Sequence, residues 1–323
     1  NNLPKLVSWP LLYSRDQVKI QQYFEEMDAI RLRKCRWNLV SDPLNFGFIS
    51  KSGVWDDLEE LTISANGVVI EVEHDAPSLL PKLQQLEIVP TLARSAKQLD
   101  SRLQLSHFRD LSFATRLKTL RIADHGIICD PGPTARSLDQ LRDFEWQSSH
   151  SEVRDIQAMF RLLDSTQLRF LDIRAKHLDQ IDPNYFSALN LDHVSKIHLN
   201  AKQRQFSRLA HRQSKLRQFI EILPDNEYES IKIEGFVGDL ADLHWLLSQK
   251  NLTRTRNLQI NLKLRDMPSQ ENKFVLAEIA VFPRLADLQL NFNIFSSLLV
   301  DFEDGSLKKH FPTAAFHSFF QYF

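Results

Sequence analysis

The sequence predicts an α/β solenoid: short parallel strands stacked into one continuous sheet, with helices and irregular segments behind it. Three observations lead there. A short apolar pattern recurs ten times, its copies start 24 to 34 residues apart, and several intervening segments carry helical periodicity.

Each copy reads apolar, two variable residues, apolar, one variable residue, apolar. The copies are Met27/Ile30/Leu32, Leu58/Leu61/Ile63, Leu83/Leu86/Ile88, Leu117/Leu120/Ile122, Leu141/Phe144/Trp146, Leu168/Leu171/Ile173, Val194/Ile197/Leu199, Tyr228/Ile231/Ile233, Thr255/Leu258/Ile260 and Leu285/Leu288/Leu290. Residues two apart on a strand share a side, so the last two apolar positions face the core and their neighbours face away. A lone strand of this kind cannot bury its apolar side, whereas a parallel stack can. Residues 27–293 are therefore expected to form about ten repeats. Residues 1–26 read as an amino-terminal cap or degenerate first repeat, with Leu6, Trp9 and Leu11 as its strand. Residues 294–323, with Phe311, Phe316, Phe319, Phe320, Tyr322 and Phe323, read as a carboxyl-terminal cap. No linker-like stretch interrupts the pattern, so one continuous domain is expected.

The connectors are uneven. Val153, Ile156, Phe160 and Leu163 recur at helical spacing behind a Ser149/Glu152 capping box. Leu240, Leu243, Leu246 and Leu247 do so after Asp239, a cap residue. Asp182-Pro183 opens a short helix carrying Tyr185, Phe186 and Leu189, and Ser269 caps a predicted helix with Val275, Leu276 and Ile279. Val68 to Val72 is β-like instead.

On these residues the chain resembles the leucine-rich-repeat superfamily over roughly residues 27–293. Leu80-Pro81-Lys82-Leu83 and Phe282-Pro283-Arg284-Leu285 resemble its return into the strand. Cys35, Asn66 and Asn293 match its Asn/Cys ladder position, while His125, Ser149, Lys176, Lys202, Phe236 and Lys263 depart from it. Irregular intervals and a degraded ladder look most like the intracellular repeats of F-box adaptor proteins. The resemblance implies a horseshoe with a parallel concave sheet and a helical or irregular convex side. It further implies substrate selection for ubiquitin transfer, with the ligase scaffold held by a segment upstream of Asn1. The chain opens without Met or a signal pattern and reads as an internal or processed piece; Leu3-Pro4 followed by Trp9-Pro10 is not an F-box. The competing reading is a structural scaffold or regulatory subunit of a chromatin, cytoskeletal or transport complex.

Composition narrows the chemistry. Hydrophobic residues make up 43% and charged residues 25%, enough for a core and unlike a disordered chain. Forty Lys plus Arg against forty-one Asp plus Glu leave a net charge of -1, which argues against a uniformly basic nucleic-acid or membrane binder. None of the eight glycines belongs to a phosphate-cradling motif, and nucleophile-elbow and metalloprotease signatures are missing. The eleven histidines are scattered without metal-ligand spacing. A non-catalytic protein without metal or cofactor is expected. Two cysteines cannot build a disulfide framework, which favours a reducing interior, cytoplasmic or nuclear. Cys35 reads as a buried thiol at a ladder position and Cys129 as part of a turn. No apolar run reaches the roughly eighteen residues a membrane span needs. The triplet Asn251-Leu252-Thr253 has the glycosylation pattern, which also recurs by chance.

The expected binding surface is the concave face, where strand alternation places the variable residues. Its candidate residues for a partner protein are Glu87, Arg121, Asp143, Glu145, Phe170, Asp172, Arg174, Lys196, His198 and Lys232. Acidic side chains gather toward Glu87, Asp143, Glu145 and Asp172 and basic ones toward Arg174, Lys196 and Lys232, suggesting recognition by matched charge zones. Phe170 is the one large aromatic among them, the usual kind of anchor. A second candidate is the basic stretch Lys202 to Arg217, with Arg204, Arg208, Arg212 and Lys215 on a predicted helix. It would suit phosphate, an acidic protein or nucleic acid, the last disfavoured because Phe206 and Phe219 are expected to face the core and the overall charge is near neutral.

Overall fold

Eight of the ten apolar triplets, from Leu58/Leu61/Ile63 to Thr255/Leu258/Ile260, are buried at all three positions. The computed structural model describes residues 12–14, 32–39, 44–45, 55–65, 68–70, 80–89, 102–105, 115–123, 126–129, 138–148, 153–163, 166–175, 178, 182, 184–187, 189–201, 216–238, 242, 245–246, 248–264 and 284–294. They belong to two compact units, Asn1–Arg204 and Gln205–Phe323. The boundary falls inside the basic stretch singled out above.

The first unit carries two parallel sheets. The larger runs through β1 (Leu12–Ser14), β2 (Lys34–Leu39), β4 (Glu60–Ser64), β6 (Gln85–Val89), β8 (Thr119–Ala123), β10 (Asp143–Ser148), β11 (Phe170–Ala175) and β12 (Lys196–Ala201), each beside the next. The smaller joins the connectors β3 (Leu44–Asn45), β5 (Val68–Ile70), β7 (Arg102–Leu105) and β9 (Gly126–Cys129). Its strands are also parallel, with Val68 opposite Leu103 and Leu103 opposite Ile127. The β-like reading of Val68 thus extends to a whole second layer. Cys129, expected in a turn, instead ends β9 opposite Leu105.

Hydrogen bonding explains why the rungs stay in step. In the first unit, the carbonyl of the residue after the first apolar position accepts two N–H groups from the next rung. Glu59 and Glu60 donate to Arg33, Gln84 and Gln85 to Glu59, and Lys118 and Thr119 to Gln84. Arg142 and Asp143 donate to Lys118, Arg169 and Phe170 to Arg142, and Ser195 and Lys196 to Arg169. A one-residue slip would forfeit both bonds and turn the apolar set outward. Before several rungs a tight turn tucks another apolar residue inward, as where the Leu58 N–H donates to the Trp55 carbonyl, Leu83 to Leu80 and Leu141 to Leu138. Trp55, Leu80 and Leu138 are all buried.

The first copy needs correcting. Cys35 lies opposite Leu61 and Trp37 opposite Ile63, so its triplet is Leu32/Cys35/Trp37 rather than Met27/Ile30/Leu32. All three are buried, and Trp37 meets Trp55 edge-on with centroids 5.2 Å apart. A thiol is small and apolar enough to serve as a core residue. Cys35 therefore occupies the middle core position, not the ladder position, and burial pushes its thiol up to about 12. At the amino-terminal end, β1 places Leu12 opposite Trp37; Leu6, Trp9 and Leu11 lie outside the described residues.

Behind the larger sheet, α1 (Val153–Leu162) follows the predicted spacing and buries Ile156, Met159 and Phe160 while packing against β9. Its expected capping box, Ser149 with Glu152, lies outside the described residues. The short α2 (Asn184–Ser187) begins where the Asp182 carboxylate accepts the Asn184 N–H at 3.0 Å. Its buried Phe186 meets Phe160 of α1 edge-on at 5.5 Å.

The second unit contains α3 (Leu216–Ile222) and the parallel strands β13 (Ser230–Gly238), β14 (Asn257–Leu264) and β15 (Asp287–Ile294). Gly235, at φ 76°, sits where the register of β13 shifts between Glu234 and Phe236, a left-handed position that favours glycine. The Asn251 side-chain amide donates to the Ile220 carbonyl at 2.6 Å and to Leu223 at 2.9 Å, fastening the end of α3. The glycosylation-type triplet is therefore built around an asparagine already engaged inside the fold. Asp242, Trp245 and Leu246 are helical, and Leu246 is buried. Asp242 accepts from Arg217 Nε at 2.6 Å while that guanidinium lies over Trp245. Arg204, Arg208, Arg212, Lys215, the Ser269 helix and the tail from 295 lie outside the described residues.

Among the described residues no helix is long and apolar enough to cross a membrane. None of them form a group of three or more His, Cys, Asp or Glu able to hold a metal ion.

Candidate functional site

Strand register turns the middle variable residue of each rung into a single transverse row on the face away from the core. In the first unit it runs Arg36, Thr62, Glu87, Arg121, Glu145, Asp172, His198, each opposite the next. A flanking row runs Lys34, Glu60, Gln85, Thr119, Asp143, Phe170, Lys196. Eight of the ten candidates for partner binding lie in these two rows, and Arg174, two residues after Asp172 on β11 and opposite Gln147 and Asn200, shares their face. Lys232 belongs to the second unit, where its ammonium pairs with Glu234 at 3.1 Å.

Neighbouring rungs satisfy one another. Lys34 bridges Glu60 at 2.6 Å, Thr62 donates to Glu87 at 3.1 Å, Arg121 bridges Glu145 at 3.4 Å, and Thr119 reaches Asp143 at 3.4 Å. Arg174 lies 3.9 Å from Glu145 and grips Asp172 with two nitrogens, Nη2 at 2.6 Å and Nε at 2.9 Å. His198 Nδ1 reaches the same Asp172 carboxylate at 3.1 Å. The acidic and basic zones expected from the sequence are, on this face, largely paired with each other.

From Arg121 onward, burial deepens along the row. Arg121 is exposed and Glu145 half-buried, whereas Asp172 is 1% and His198 8% exposed. Two residues expected on a solvated surface are therefore interior groups. Burial by itself would raise the Asp172 carboxyl, but hydrogen bonds from His198 and Arg174 and their charge hold it below the usual carboxylate range. An ionised carboxylate can only accept, so His198 Nδ1 carries the proton between them. Phe170 stands half-buried between Asp143 and Lys196, the one aromatic side chain of the two rows.

The arrangement is a pre-aligned platform whose side chains recur every strand step, roughly 4.8 Å, and whose charges are oriented before any ligand arrives. Sequence reasoning missed the depth of Asp172 and His198, because alternation assigns a side of the sheet but not what lies over it. It also passed over the residue after each first apolar position, where Leu117-Lys118, Leu141-Arg142 and Leu168-Arg169 carry a cation in three consecutive copies.

Scanned against protein-family models and against curated proteins, the chain matches none.

Proposed function

We propose that this chain is a non-catalytic protein-recognition module, a leucine-rich-repeat solenoid that holds a partner protein on the outward face of the larger sheet. The observation that carries the reading is the in-register row from Arg36 to His198, with its charges fixed by cross-strand pairs. Pre-aligned groups lose little freedom on binding, and complementary charges set register and encounter rate more than affinity. Phe170, beside Lys196, supplies the anchor. The resemblance to F-box adaptors gives the module its role, choosing substrates for ubiquitin transfer.

Affinity purification with mass spectrometry tests both levels. Wild type is compared with the variants Arg121→Glu and Lys196→Glu, which leave the buried Asp172 untouched, after an unchanged melting temperature is verified. Loss of a captured partner supports the sheet face; undiminished capture removes the site from it. Recovery of ligase scaffold subunits with the full-length protein supports the adaptor role. Recovery of a chromatin, cytoskeletal or transport assembly in their place replaces it with the scaffold reading.

A further inference from the structure

Beyond the sheet face, three successive rungs carry a cation at the rim where their strands begin. Lys118, Arg142 and Arg169 each precede a strand, β8, β10 and β11 respectively, and all three are exposed. Their backbones are directly joined. The Arg142 N–H donates to the Lys118 carbonyl at 2.9 Å, and the Arg169 N–H to that of Arg142 at 2.7 Å. The three cations therefore stand on successive rungs, roughly 4.8 Å apart at the backbone. Arg116, also exposed, adds a fourth in the turn before β8. Asp139 is the one carboxylate in the turns 115–118, 138–142 and 166–169. Arg116, Arg142 and Arg169 have no ion-pair partner among the described residues, and Lys118 donates to the neutral Gln84 at 2.9 Å. This contrasts with the sheet face, where neighbours neutralise one another. The row is bounded by neutral Gln84 and Ser195 on the adjoining rungs.

We propose that this rim is a second docking surface, one that takes an extended acidic segment of a partner protein. Charge complementarity carries the assignment. Guanidinium groups without an ion-pair partner among the described residues present forks suited to carboxylates, and a short acidic run spans the two strand steps between Lys118 and Arg169. A nucleic-acid strand fits less well, because no exposed aromatic ring stands among these residues to stack a base.

The test is fluorescence anisotropy with a labelled oligoglutamate peptide, an oligolysine peptide as the control for sign, and a single-stranded oligonucleotide. The variant Lys118→Glu/Arg142→Glu/Arg169→Glu is compared with wild type and with Lys250→Glu, an exposed change in the second unit. The expected result is oligoglutamate binding that weakens with salt and falls about ten-fold or more in the triple variant, with Lys250→Glu unchanged. If the reversal variant fails to fold, Lys118→Gln/Arg142→Gln/Arg169→Gln gives the same reading. Equal binding by wild type and the variant overturns the proposal, as does a lack of preference over oligolysine. Oligonucleotide binding tighter than oligoglutamate, and lost in the same variant, overturns it in favour of nucleic acid. None of these results depends on partner capture by the sheet face.

Discussion

His198 Nδ1 reaches Asp172 Oδ2 at 3.1 Å across two parallel strands, and both side chains are almost sealed from water. The same carboxylate is gripped from its own strand by Arg174. A buried acceptor shared by two donors is costly to remove, since its loss strands both of them. Asp172→Ala is expected to lower stability by about 2–3 kcal/mol. It should shift the urea midpoint with little change in slope, while Asp172→Asn, which keeps the shape and one acceptor, should cost less.

The pH dependence of that difference has a definite sign. The folded Asp172 carboxyl lies below its ordinary value, held there by His198 and Arg174 against the opposing effect of burial. Its contribution is therefore fully present above the unfolded value, roughly pH 4, and is lost as the pH falls through the lower folded value. The stability gap between wild type and Asp172→Asn should narrow on acidification from neutrality through this range. A gap that stays constant or widens in urea titrations across it would contradict the pairing.

Asn251 is a structural fastener. Its amide donates to two carbonyls at the end of α3, so Asn251→Ala should cost about 1–2 kcal/mol in thermal or urea unfolding. Passage of the chain through a secretory host should leave this asparagine unmodified, seen as unchanged gel mobility after endoglycosidase treatment.

Cys35 should be chemically silent while the chain is folded. Its thiol is buried and its pKa is pushed up to about 12, leaving almost no thiolate at neutral pH. In a Cys129→Ser background, a thiol reagent should label Cys35 only in denaturant. Rapid labelling in native buffer would count against its placement on the core side of β2.

Much of the fold was legible because a spacing rule repeats. Leu117/Leu120/Ile122 and Leu141/Phe144/Trp146 announce both their strands and their burial, and parallel pairing follows from their need for neighbours. The first copy is displaced because the apolar pattern also fits Met27/Ile30/Leu32, whereas a thiol and an indole, Cys35 and Trp37, fill the core positions that aliphatic side chains hold in later rungs. The second sheet was half visible, in Val68-Val69-Ile70, because three-residue strands carry too little alternation to be read one at a time. Strand alternation puts the candidates on β10, β11 and β12 on one side of their strands. Depth and pairing were not legible, since whether Asp172 is covered depends on what other rungs contribute.

The outer layer changes character along the first unit. Four short strands back its early rungs, and β9 closes that series where α1 packs against it. An uncovered strand border would offer its free backbone groups to any passing chain. The helix thus doubles as a guard against strand-to-strand self-association at the border of β9.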